Sequence, residues 1–142
     1  MRRVRLIGPG RAGRSLALAL SGTGWRVVGL LGRNDDQRQA AAGVDALVIA
    51  TPDDAVEEVA RAVRPEQGCV VVHLAAALGL DVLAPHPRRA SLHPLMPLPT
   101  PEIGSRRLAS GITFAISGDP VVAEMVASLH GRAIVVDESR RA

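Results

Sequence analysis

Val4-Arg5-Leu6-Ile7-Gly8-Pro9-Gly10-Arg11-Ala12-Gly13-Arg14-Ser15-Leu16-Ala17-Leu18-Ala19-Leu20 is the stretch that decides how this chain folds. A short apolar run precedes the glycines and an alanine- and leucine-rich segment follows them, so they mark a strand-to-helix turn. Gly8 allows the tight turn off the strand, Gly10 lets a phosphate group approach the backbone, and Gly13 lets the helix pack close to the sheet. Amides at the start of such a helix carry partial positive charge, so the group they bind should be anionic. The G-x-G-x-x-G spacing in this setting points to a dinucleotide. A plain tight turn is the alternative reading.

Working outward, the 142 residues read as one domain, 1–142, long enough to bury roughly two-thirds of the unfolded surface. Hydrophobic residues make up 47% and charged residues 22%, the balance of an ordinary globular protein. No apolar stretch approaches the ~18–20 residues of a membrane span. Met1-Arg2-Arg3 leads into a segment too short and glycine-broken for a signal peptide. A single cysteine, Cys69, allows no internal disulfide, and a cytoplasmic address is the default expectation.

All 17 basic residues are arginine, and neither lysine nor tyrosine occurs. Schiff-base lysine chemistry and the Tyr–Lys pair of short-chain dehydrogenases are therefore excluded within this chain. The net charge is +3, but the arginines are scattered singly or as Arg2-Arg3, Arg88-Arg89, Arg106-Arg107 and Arg140-Arg141. With Trp25 and Phe114 as the only aromatics, stacking platforms are missing, and nucleic acid is not an expected partner.

The rest of the chain alternates strands and helices, which predicts an α/β fold, a doubly wound and mainly parallel sheet in three αβα layers. Strands are expected at Val4–Ile7, Trp25–Leu31, Ala46–Ala50, Cys69–Leu74, Ala90–His93, Gly111–Ser117 and Ala133–Val136. Helices are expected at Arg11–Ser21, stopped by Gly22-Thr23-Gly24, and at Asn34–Ala42 with Asn34 as N-cap. Another helix should begin at Thr51-Pro52-Asp53-Asp54, with Thr51 as cap, and bury Val56, Val59, Ala60 and Val63. Leu80–Leu83 reads as a short helix, Pro94 to Pro101 as a proline-punctuated loop, and the segment from Asp119 as a helix burying Val122, Met125, Val126 and Leu129. Only Gly43-Val44-Asp45 separates the Asn34–Ala42 segment from the next strand. The usual third strand of a Rossmann-type sheet should therefore be missing.

Ligands of open α/β sheets lie beyond the carboxyl ends of the strands, where strand order reverses. Those ends are the glycine loop, Gly32-Arg33-Asn34, Thr51-Pro52-Asp53, His73–Ala76 and Leu92-His93-Pro94, all expected to meet in one crevice. The candidate cofactor-binding residues are Gly8, Pro9, Gly10, Arg11, Ala12, Gly13, Arg33, Asn34, Thr51, Pro52 and Asp53. Arg33 stands 20 residues after Gly13, where an NAD-selective domain would carry a carboxylate for the ribose hydroxyl. A guanidinium there suits a 2′-phosphate, so NADP is favoured over NAD; a plain surface arginine is the alternative.

His93 and His73 end predicted strands and are the candidate catalytic residues, since imidazole suits proton transfer to a carbonyl or amine beside a hydride acceptor. His93, before Pro94, should exit outward, whereas His73 also reads as a satisfied core histidine. His86 and His130 look like loop and helix-end residues. No metal site is expected, because the histidines lack ligand spacing and one cysteine makes no zinc site. Cys69 reads as a small buried residue. A mononucleotide or a coenzyme A moiety remains a further alternative for the anion.

Gly8-Pro9-Gly10-Arg11-Ala12-Gly13, Thr51-Pro52-Asp53-Asp54, Val72-His73-Leu74 through Gly79, and Leu92-His93-Pro94-Leu95 occur in an order that resembles a group of NADP-dependent oxidoreductases. These are related to 6-phosphogluconate dehydrogenase and pyrroline-5-carboxylate reductase, and the likeness spans essentially the whole chain. The resemblance implies a Rossmann-type cofactor domain and hydride transfer to or from a small carbonyl or imine substrate. Two departures stand out. Ala75-Ala76 replace the Ser-Gly usual after the histidine, and members continue into a C-terminal helical domain that builds a dimer and closes the substrate pocket. The chain ends about where that domain would begin, so both an oxidoreductase domain and a non-catalytic dinucleotide-binding module are expected readings. A sheet without its covering domain should expose apolar surface and form a homo-oligomer.

Overall fold

Alternation along the first strand divides the interior in two. Strand β1 (Arg2–Ile7) sends Val4 and Leu6 into one apolar core and Ile7 into a second on the opposite face. The computed structural model describes residues 1–137, so the Arg140-Arg141 pair lies outside the described residues. The elements that follow are α1 (Arg11–Ser21), β2 (Trp25–Leu31), β3 (Ala46–Ile49), α2 (Val56–Ala62), β4 (Val70–His73), β5 (Arg88–Pro94), α3 (Pro101–Leu108), β6 (Thr113–Gly118), α4 (Val121–Ser128) and β7 (Arg132–Val135).

Among the described residues, seven strands form one sheet in the order β2-β1-β3-β4-β5-β6-β7. Strands β1 to β5 run parallel, β6 is antiparallel to β5, and β7 is parallel to β6. Helices α1, α3 and α4 pack on one face, while α2 and the turns around Ala40–Val44 pack on the other. The architecture is thus a three-layer, Rossmann-type α/β fold. Strand β2 is an edge, so the third strand of the usual half is absent, as the short Gly43-Val44-Asp45 connection requires. Strands β3 and β4 are buried at every position, which explains their unbroken apolar sequences.

Three expectations need correction. Asn34–Ala42 is a series of turns, not a helix, and Asn34 caps nothing. Side chains there bond the backbone in place of a helical ladder: Asp35 Oδ2 accepts from Gly32 N at 2.6 Å, and Asp36 Oδ1 accepts from Arg38 N at 3.1 Å. Arg5 then reaches across from β1 and donates to the carbonyls of Ala40 (2.6 Å) and Ala42 (3.0 Å).

Second, the proline-rich stretch ends in helix α3. Pro101 occupies its first turn, and Thr100 accepts from Ile103 N at 3.2 Å as N-cap. Gly104 of that helix lies directly against Ser15 of α1, so the two helices touch where any larger residue would separate them. Third, Thr51 caps no helix. Pro52 precedes a single 3₁₀ turn, Asp53–Ala55, that leads into α2. Strand β5 also extends beyond the expected Ala90–His93, and Pro94 still pairs with Phe114 across the antiparallel ladder.

Asp119 joins β5 to α4. It accepts from Arg88 Nε at 2.9 Å and from Val121 N at 3.0 Å. Burial would raise its pKa, but the Arg88 guanidinium and the Val121 amide outweigh burial and hold the carboxyl below its usual 3.8. A depressed carboxylate adds stability above its unfolded pKa and loses it as pH falls through the folded value. Because Arg88 is partly exposed, Asp119→Asn should cost only about 1 kcal/mol at pH 7. That difference should persist to pH 5 and shrink as pH drops below 3.8, as read by urea unfolding of both proteins across this range.

Candidate functional site

The glycine loop is built by close approach. Gly8 has φ +108°, and a Cβ there would stand 2.8 Å from the Ala50 carbonyl, so only glycine fits without strain. A Cβ on Gly13 would run into the Gly8 carbonyl oxygen and come 3.3 Å from Ala50 Cβ. Nothing lies within 4 Å of a Cβ on Gly10. Two glycines therefore hold loop, helix and β3 together, and the third faces open space. Backbone bonds fix the turn between its neighbours: Gly8 N donates to Leu31 O at 2.9 Å, and Ala50 N to Ile7 O at 2.8 Å. Arg14 Nε secures the loop from the helix side through Pro9 O at 2.6 Å.

Helix α1 begins with Gly10 as N-cap, no capping side chain and no acidic residue in its first turn. The first amides of a helix have no intrahelical acceptor, and no side chain caps those of Arg11, Ala12 and Gly13. The loop lies at the sheet's switch point. Strand β2 leads away from β1 on one side and β3 on the other, and the paired ends Ile7 and Ile49 open there.

A cleft of about 760 Å³ occupies this place. Gly8, Pro9 and Gly10 form one side, Gly32, Arg33 and Gln37 another, and Thr51, Pro52 and residues of α2 a third. Of the expected cofactor residues, Gly8, Pro9, Gly10, Arg33, Thr51 and Pro52 therefore meet in one cavity. Arg11, Ala12, Gly13, Asn34 and Asp53 do not line it; Gly13 is buried beneath the loop, and Asn34 and Asp53 are exposed. Arg33 makes no hydrogen bond or ion pair among the described residues, so its guanidinium is uncommitted. Thr51 Oγ1 is buried at the cleft without a partner. Gln37, Glu58, Val59 and Ala62 also line the cleft. The sequence reading missed them, because a polar turn and a charged helix position look like solvated surface.

The two candidate catalytic histidines lie on β4 and β5, outside this cleft, so the single crevice expected from all five strand ends is formed by three of them. His73 is fully buried. Its Nδ1 accepts from Ala75 N at 3.1 Å and its Nε2 donates to Gly79 O at 2.9 Å. Both nitrogens thus hold the loop that follows β4, the arrangement of a satisfied core histidine. His93 is half-buried, and its Nδ1 donates to Leu74 O at 2.9 Å. A carbonyl can only accept, so this bond fixes the tautomer and leaves the Nε2 lone pair without a partner among the described residues.

Two further groups fall outside the site. His86 is fully buried and donates from Nε2 to Ala60 O at 2.8 Å, tying its loop to α2. Burial pushes the Cys69 thiol up to about 12, so it is not a nucleophile at neutral pH. Among the described residues, no group of three or more His, Cys, Asp and Glu side chains could hold a metal ion, and no helix is long and apolar enough to cross a membrane.

No family model matches the chain, and no curated protein matches it in sequence. Solved structures do match in fold. Prephenate dehydrogenase from Aquifex aeolicus superposes with a TM-score of 0.76 at 15% identity, over 98% of this chain and 63% of that one. That enzyme has also been solved with NAD+ and hydroxyphenyl propionate. A reductive aminase from Aspergillus terreus, in complex with NADPH4, cyclohexanone and allyl amine, matches with a TM-score of 0.67 at 16% identity over 96% of this chain and 55% of its own. Imine reductase from Bacillus cereus matches at 0.69 and 17%, over 97% and 55%. The chain thus spans somewhat over half the length of each of these proteins. It has the Rossmann-type fold found in these dehydrogenases and reductases.

Proposed function

We propose that this chain binds a nicotinamide dinucleotide at the Gly8–Gly13 turn, with NADP as the preferred form, and serves as the cofactor domain of an oxidoreductase. The observation that carries the reading is the glycine turn Gly8-Pro9-Gly10, ending at the uncapped N-cap of α1, which lines one cleft together with Arg33 just beyond β2. Amides of Arg11 to Gly13 would bind the diphosphate, and the Arg33 guanidinium would take a ribose 2′-phosphate in bidentate fashion. Neighbours solved with NAD+ and with NADPH4 support the class of cofactor.

Such a dinucleotide supplies hydride for a small carbonyl or imine substrate. On this reading His93 is the substrate-side group. Its Leu74-held tautomer presents Nε2 to accept a proton from an alcohol or amine, and its protonated form returns that proton to a carbonyl oxygen or imine nitrogen. A second copy or a further domain would complete the pocket over it, beside the exposed Leu95 and Met96.

One observation favours a second reading, a dinucleotide-binding module without catalysis. His73 has both nitrogens engaged, and neither histidine lines the cleft. NADPH oxidation measured across a panel of carbonyls and imines separates the two: turnover lost in His93→Gln supports the enzyme, and binding without turnover supports the module.

Titration calorimetry tests the cofactor. NADPH should bind more tightly than NADH, and Arg33→Asp should weaken NADPH by about ten- to a hundredfold while sparing NADH. Equal affinity for both would remove the NADP preference. Binding of neither would remove the dinucleotide.

A further inference from the structure

One peptide group stands between the two strand-end histidines. Its N–H, that of Ala75, donates to His73 Nδ1 at 3.1 Å, and its carbonyl, that of Leu74, accepts from His93 Nδ1 at 2.9 Å. The N–H and C=O of a trans peptide point in opposite directions across a rigid plane, so the two imidazoles clamp this plane from its two ends. The sheet brings them to it. His73 ends β4 in register with Ser91 of β5, and His93 follows two residues later on the same face. On the other side of its ring, His73 Nε2 donates to Gly79 O at 2.9 Å. Gly79 O, His73, the Leu74–Ala75 peptide and His93 form one hydrogen-bonded chain, in which every donor points toward the Gly79 end.

We propose that His73 is a positioning residue for His93, acting through the Leu74–Ala75 peptide to fix which nitrogen of His93 carries the proton. The proposal rests on the reading of His93 as the substrate-side group and is independent of the cofactor cleft. A peptide plane can turn about its flanking bonds with little movement of its neighbours. Held by His73, this one keeps the Leu74 carbonyl aimed at His93 Nδ1. Only one tautomer of His73 does so: the Ala75 amide can only donate and the Gly79 carbonyl can only accept, so Nδ1 is bare and Nε2 protonated. His93 is the reverse, protonated at Nδ1, with the Nε2 lone pair left for a substrate proton. Head-to-tail hydrogen bonds polarise one another, so the bond from Ala75 to His73 also makes the Leu74 carbonyl a better acceptor. Released from Leu74, the proton would move to Nε2, the form that a solvated neutral histidine favours, and His93 could no longer accept there.

Nitrogen-15 NMR of the intact chain tests this at about pH 8, where an ordinary histidine is neutral, because it reads which nitrogen of each ring is protonated. The wild type should hold His73 and His93 in opposite tautomers, with a coupling across the hydrogen bond from the Ala75 amide to His73 Nδ1. Two variants then separate the two bonds of His73. His73→Asn keeps the inner one, since an asparagine oxygen accepts from the amide two residues on. His73→Gln, one carbon longer, keeps the donor to Gly79 and loses the acceptor for Ala75. His93 should stay mainly Nδ1-protonated in His73→Asn and become mainly Nε2-protonated in His73→Gln. A side chain that only filled the core would affect His93 alike in both, since each variant gives up one of two buried hydrogen bonds. The same His93 tautomer in both variants would overturn the positioning role and leave the role of His93 itself standing. His73 and His93 sharing one tautomer in the wild type would overturn both, and that measurement holds even if His73→Gln fails to fold.

Discussion

Gly10→Glu is expected to lower dinucleotide affinity at least about a hundredfold while the protein still folds. The backbone of Gly10 (φ −79°, ψ −168°) is open to any residue, and a Cβ there meets nothing. Stability should therefore change by no more than about 1 kcal/mol, the range for replacing a neutral N-cap. The carboxylate, however, would lie at the uncapped helix start where we propose the diphosphate binds, excluding it by volume and repelling it by charge. A thermal melt beside a calorimetric titration checks both halves. Unchanged affinity would sink the placement of the diphosphate.

Gly13→Ala should have the opposite profile and cost about 3 kcal/mol or more of stability. Its methyl group would collide with the Gly8 carbonyl oxygen and press on Ala50. Neither is the end of a flexible side chain, and relief requires α1 to move away from β3. Urea denaturation measures this directly, with Gly10→Ala as the control for adding one methyl group to the same loop. A Gly13→Ala protein as stable as the wild type would mean that the helix and loop have slack the geometry does not show.

What could be read from sequence follows the range of the forces involved. Helix α1 and its glycine turn are specified within some fifteen residues, and both strand and helix sides of that turn lie where the pattern put them. The absent third strand was legible from the shortness of the connection after Ala42. Asn34–Ala42 misled because Asp35 and Asp36 bond nearby amides and because Arg5, far away in the chain, supplies donors for two carbonyls. Helix α3 was hidden by its prolines, although Thr100-Pro101-Glu102 is a helix start in its own right. The reversal of β6 depends on pairing between distant segments, for which no local residue gives a sign.

Gly8, Gly10, Arg33 and Thr51 line the cleft where the sequence reading grouped them, because turn chemistry and strand-end spacing are local. The fates of the histidines depend on the carbonyls of Gly79 and Leu74, whose positions no periodicity reveals. Glu58 escaped notice for a related reason, since an acidic residue on an exposed helix face looks the same whether it borders water or a cleft.

The irregular segment between β2 and β3 provides a whole wall of the cleft, yet it is not a loose loop. Arg5 holds Ala40 and Ala42, Gln37 and Asp35 grip Gly32, Asp45 N reaches Arg3 O at 2.9 Å, and Arg64 N reaches Arg38 O at 2.9 Å. Such stapling preorganises the wall before anything arrives. The entropy lost on association then falls on the ligand's torsions rather than on the chain's, and affinity does not have to be spent on ordering a disordered rim.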